Sequence, residues 1–128
     1  MAQMSEPLAT GPFHGGRVAE QNDRFRRSFG ADPTLPGRIV ITQGVAALGA
    51  AALVPLMTAL IRFDDFTEDN DPFGLRDFGA FEIEAEGRAV RLYWKIDLFD
   101  ADERFGSEAP DDPDRTRRVL TLLLPEEW

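Results

Sequence analysis

The chain has 128 residues, enough for one domain with a working core, since a chain of this length buries roughly two-thirds of its unfolded surface. Its hydrophobic content of 43% is ordinary for a folded domain, and the absence of cysteine excludes disulfides, thiolate metal sites and a cysteine nucleophile. The net charge of −9 is concentrated in residues 63–114, which hold five basic and seventeen acidic side chains. So acidic a block repels phosphates, which disfavours direct nucleic-acid binding and favours a basic protein surface or a divalent cation as partner.

Residues 1–16 are rich in Gly, Pro and small polar residues with no apolar period, and read as a flexible tail ahead of a single domain over 17–128. They lack the basic-then-apolar order of a signal peptide, which points to a cytoplasmic protein. Residues 17–29 predict a short helix with Val18, Gln21, Phe25 and Phe29 along one side and Arg24, Arg26 and Arg27 on the others. Gly30 ends it, and Asp32-Pro33 and Leu35-Pro36-Gly37 form a turn-rich connection.

The β-branched run at residues 38–42 predicts a strand. The uncharged stretch 44–61 approaches the length of a membrane span, but its alanines, Gly44, Gly49 and Pro55 mark a buried helix of a domain outside the membrane. Leu53, Leu56, Met57, Leu60 and Ile61 form its core-facing stripe. Pro55 requires either a kink or a regular helix that begins close to it.

Residues 63–77 mix phenyl rings and carboxylates in a loop marked by Asp71-Pro72 and Gly74. Beyond it, Phe81, Ile83 and Ala85 alternate with Glu82, Glu84 and Glu86 as a half-buried strand, and the turn at Glu86-Gly87-Arg88 leads to a returning strand over 89–99. A polar surface loop occupies 100–114, and residues 117–124 form a buried strand. The fold expected is α+β, a small and mostly antiparallel sheet of about four strands packed against one or two helices.

Candidate chemistry is sparse. Asp65, Asp69, Asp71 and Asp77 offer oxygen ligands for a hard cation, but Phe73 stands where a calcium loop needs an oxygen residue and Ala80 where its closing Glu belongs. Such residues also cap and turn loops, which is the commoner role. Lys95 and Asp97 alternate with Trp94 and Ile96, the pattern of a same-face ion pair more often than of a catalytic couple. Ser107 has no base in reach, because the single histidine, His14, lies in the tail. No phosphate-binding glycine fingerprint occurs, so neither a catalytic residue nor a cofactor is assigned. The clusters Arg24, Arg26, Arg27 and Arg115, Arg117, Arg118 read mainly as internal partners for the chain's own carboxylates.

Several strings occur together in order: Asn22-Asp23-Arg24-Phe25-Arg26-Arg27, residues 37–45, Phe63-Asp64-Asp65-Phe66-Thr67, Asn70-Asp71-Pro72, Asp77-Phe78-Gly79-Ala80-Phe81 and Trp94-Lys95-Ile96-Asp97. With Gly106-Ser107-Glu108 and Arg118-Val119-Leu120-Thr121, the chain resembles, over about residues 22–127, the DUF3768 family of small bacterial proteins of unknown function. Arg76, where histidine is usual, and Pro55 depart from that pattern. The resemblance implies no activity, only an association with chromosomal and plasmid genes, some near conjugation and anti-restriction genes.

The expected function is a non-enzymatic acidic interaction protein. By mimicking phosphate charge it would bind a basic surface of a defence or DNA-processing protein through Asp64, Asp65, Asp69, Asp71, Asp97, Asp100 and Asp102. Two alternatives stand beside it. One is a carboxylate-based metal protein or enzyme with Lys95 in its polar centre; the other is a structural homodimer formed through Phe63, Phe66, Phe73 and Phe78.

Overall fold

The computed structural model describes residues 15–128. His14 and nearly all of the predicted tail lie outside them. Helix α1 (Gly15–Arg27) carries Arg24, Arg26 and Arg27 in its last turn, where cations complement the helix dipole. It stops because Phe29 (φ 51°) and Gly30 (φ 76°) adopt left-handed conformations and turn the Gly30 N–H back onto the carbonyl of Phe25.

Strand β1 (Gly37–Ile41) follows, then a four-residue helix α2 (Gln43–Ala46) capped by the Thr42 hydroxyl. A 3-10 turn (Ala50–Ala52) leads into helix α3 (Leu53–Arg62). Pro55 therefore falls in the first turn of α3, where its missing N–H has no helical partner to lose, so the helix starts near the proline and needs no kink. The predicted stripe is corrected at one end. Leu56 and Leu60 are buried, but Leu53 is 43% exposed, because the change from three to 3.6 residues per turn gives the inward position to Ala52.

Strands β2 (Phe78–Ala85), β3 (Arg88–Phe99) and β4 (Arg117–Leu123) complete one sheet in the order β1-β4-β3-β2. β2–β3 and β3–β4 are antiparallel; β1–β4 is parallel, which makes the sheet mostly antiparallel and the fold α+β as expected. Glu86 (φ 54°) and Gly87 (φ 78°) make the two-residue turn of the β2–β3 hairpin, matching its twist.

Alternation sorts the sheet into two faces. Ile83, Leu92, Trp94, Ile96, Leu120 and Leu122 belong to the core with Leu56 and Leu60 of α3 and Phe25 of α1. The other face, carrying Arg91, Tyr93, Lys95 and Asp97 of β3, has no α-helix over it among the described residues, although Val119 and Leu123 of β4 are buried on it and Trp128, after the 3-10 turn Pro125–Glu127, packs on Tyr93. Two glycines make the covered side fit. A Cβ on Gly37 would meet the Arg118 carbonyl at 2.2 Å, and one on Gly79 would lie 2.3 Å from the Trp94 indole nitrogen.

Candidate functional site

The acidic loop 63–77 is held at both ends by α1. Arg26, 0% exposed, donates from Nε to the Leu60 carbonyl (3.1 Å), from Nη2 to the Phe63 carbonyl (2.9 Å) and from Nη1 to Asp23 (2.9 Å). Its guanidinium also lies 5.4 Å from the Phe66 ring centre and 5.3 Å from that of Trp94. At the far end of the loop, Asn22 donates to the Leu75 carbonyl (2.9 Å) and Arg76 to Asp23 (2.8 Å), with Arg76 stacked 4.9 Å over Phe66. Arg76 is thus part of the clamp. Burial pulls the Arg26 pKa down from its usual value, opposed by the hydrogen bond and charge of Asp23.

Arg118 is equally buried but differently held. Its Nε donates to Asn22 and its Nη2 to Gln21, both at 2.9 Å, and Nη1 has no hydrogen-bond partner. No carboxylate pairs with it among the described residues. Burial, with the charge of Arg24, brings its pKa down to about 10. The expectation that the arginine clusters neutralise the chain's own acids holds for Arg24 on Asp32 (3.1 Å), Arg26 and Arg27 on Asp23, and Arg117 on Glu103 (3.0 Å). Arg118 breaks it. Arg26 also corrects the helical reading, since it shares the buried side of α1 with Phe25 and Asn22.

Within the loop, Asn70 rather than a cation gathers the chain. It accepts from the Thr67 N–H (2.8 Å) and donates to the Asp65 carbonyl (2.9 Å), while Asp71 accepts from the Arg76 N–H (3.1 Å). Among the described residues no three His, Cys, Asp or Glu side chains come together as a metal site, so Asp65, Asp69, Asp71 and Asp77 do not converge as a cage. Asp64, Asp65 and Asp69 are exposed and enter no ion pair among the described residues.

Two grooves receive the other acids named from sequence. One, of about 440 Å³, is lined by Asn70, Asp77, Phe78, Lys95, Asp97 and Trp128. Lys95 Nζ sits 3.0 Å from Asp97 and 5.8 Å from the Trp128 ring centre, the same-face ion pair that alternation predicted. Asp77 is half-buried; burial first, then the charges of Asp71 and Asp97, raises its pKa above the usual aspartate value. The second groove, about 460 Å³, runs along loop 100–115 and includes Asp100, Asp102, Glu108 and Asp114. The Asp100 carboxylate accepts from the Arg104 N–H at 3.0 Å. Ser107 is tied to Thr116 at 2.7 Å, a loop brace rather than a nucleophile's setting.

The phenyl patch expected for a homodimer is split. Phe63 and Phe66 pack edge-on against Trp94 within the core side, whereas Phe78 joins Tyr93 (5.3 Å) and Trp128 (5.5 Å) on the open face. Phe73 stands apart, 78% exposed. Trp128, 70% exposed, is the groove residue that sequence reasoning missed. Alternation puts Tyr93 beside Lys95, but nothing local to Trp128 announces its meeting with Phe78.

Fold and groove together define a small α+β domain with one helix-covered sheet face and one open face edged by acidic loops. The chain belongs to the family described as Protein of unknown function (DUF3768), whose model matches residues 41–127, so that α1 lies ahead of the match. No curated protein and no solved structure gave a match. No helix among the described residues is long and apolar enough to cross a membrane.

Proposed function

We propose that this protein is a non-enzymatic interaction domain whose acidic loops, at one end of the open sheet face, take a basic protein surface by imitating phosphate charge. One observation carries the reading. The arginines of α1 and β4 are engaged by buried groups or local carboxylates, while Asp64, Asp65, Asp69 and Asp102 have no ion pair among the described residues. With a net charge of −9 the surface carries negative charge in excess, the condition for fast, salt-sensitive encounter with a cationic partner. Under this reading the protein works in the cytoplasm, and its partner is a DNA-processing or defence protein of the kind encoded near mobile elements.

The test is competition. At low salt the chain should displace duplex DNA from a basic DNA-processing enzyme, and the effect should fade as salt rises. The combined substitution D64N/D65N/D69N/D100N/D102N should weaken that competition about tenfold or more, the equivalent of about 1.4 kcal/mol. Failure of the wild-type chain to compete at low salt with any restriction endonuclease or other DNA-processing enzyme in a broad panel would end the proposal.

A further inference from the structure

We infer that the free edge of β2 is a docking strand, and that its occupant is an extended basic segment of a partner protein, added to the sheet as a fifth strand. This rests on the acidic-interaction reading above and deepens it by stating where and in what conformation the partner binds. With β1 at the opposite edge, β2 is one of the two edge strands of the sheet. The two-residue turn at Glu86-Gly87 then fixes which of its backbone groups face outward. In such a hairpin the flanking residues, Ala85 and Arg88, form a hydrogen-bonded pair, and bonded pairs recur at every second position. Ile83, Phe81 and Gly79 therefore bond inward to β3, and the Ile96 N–H donating to the Asp77 carbonyl at 2.8 Å continues the same alternation. Phe78, Ala80, Glu82 and Glu84 are left to point their N–H and C=O groups away from the sheet. Among the described residues no turn, loop or cap bond reaches these four backbones.

An unpaired edge of this length is a template for another strand, and recognition of that kind draws affinity from the main chain and selectivity from alternate side chains. Here the alternate side chains specify the occupant. Glu82 and Glu84 are exposed on the open face and enter no ion pair among the described residues, although Arg91 stands opposite Glu82 across the hairpin. A second copy would bring its own Glu82 and Glu84 to the same edge, setting like charges against each other. A segment with Lys or Arg at every second position sets cations against both. The pair of glutamates thus opposes self-association and selects a basic strand through the same charge.

The test uses the full chain and two synthetic peptides of equal length and composition, one alternating lysine with threonine, the other repeating Lys-Lys-Thr-Thr so that no two of its lysines lie two positions apart on one face. The alternating peptide should bind about five- to tenfold more tightly at low salt, as two added cross-strand charge pairs imply. It should slow amide hydrogen exchange at Ala80, Glu82 and Glu84 but leave Phe81 and Ile83, already paired, unchanged. E82Q/E84Q should abolish the preference for alternation. Equal binding of both peptides, with exchange at those three amides unaltered, would overturn the docking strand while leaving the acidic-interaction reading standing. Binding of neither peptide would overturn both.

Discussion

The two sides of the sheet handle charge in opposite ways. On the helix-covered side, Arg26 and Arg118 are both fully buried, and every guanidinium nitrogen but Arg118 Nη1 donates to a carbonyl, an amide or Asp23. Around the open side, the exposed Asp64, Asp65, Asp69 and Asp102 enter no ion pair among the described residues. Desolvation explains the contrast: a buried charge without partners is costly, whereas a solvated one is satisfied by water. The lesson is that two of the chain's arginines, Arg26 and Arg118, are drawn inward, which takes their positive charge away from the surface.

The comparison breaks most easily at Arg26. Replacing it by methionine keeps much of the volume but leaves the buried Leu60 and Phe63 carbonyls without their donor and takes from Asp23 one of its three arginines, and should cost about 3–5 kcal/mol in chemical denaturation. Arg118→Met sharpens the contrast, because it orphans only the neutral amides of Asn22 and Gln21. Its cost should be about 1–3 kcal/mol, distinctly less than that of Arg26→Met. Equal losses at the two sites would mean that the carboxylate partner of Arg26 contributes nothing special.

On the open side the expected effects are smaller and change sign. Asp77 has a raised folded-state pKa, so the stability associated with its neutral form is present at low pH and is lost as pH rises through that value. Asp77→Asn should therefore raise the thermal midpoint at neutral pH by a modest amount, within about 1 kcal/mol, and the gain should vanish on acidification. Glu103 has the opposite shift, lowered by its hydrogen bonds to Arg38 and Arg117, so what it contributes is lost as pH falls through its folded pKa. Glu103→Gln should give the smallest loss of these variants in chemical denaturation, as exposed pairs do, and less still in high salt.

Much of this was legible from local pattern. The alternation of Trp94 and Ile96 against Lys95 and Asp97 gave the faces of β3 and the ion pair, and Glu86-Gly87 gave the hairpin turn. Arg26 was misread because charge at a helical position argues for solvent until its partners are known, and those partners are the Leu60 and Phe63 carbonyls, more than thirty positions away. The candidate phenyl patch failed for a related reason. Phe66, in the loop, packs on the core side against Trp94, whereas the strand that begins at Phe78 turns that ring to the open face, and the composition of the stretch does not distinguish the two.

By itself the sequence determined the class of fold, the bounds of its strands, the position of the acidic segment and the chemistries it could not support, because these follow from period, turn residues and composition. Only the tertiary structure decided that β1 lies parallel beside β4, that α1 pins both ends of the acidic loop, and that Trp128 meets Phe78 over a groove. Those outcomes depend on contacts between distant residues, whose geometry is set when apolar surface is buried and each buried polar group must find a partner.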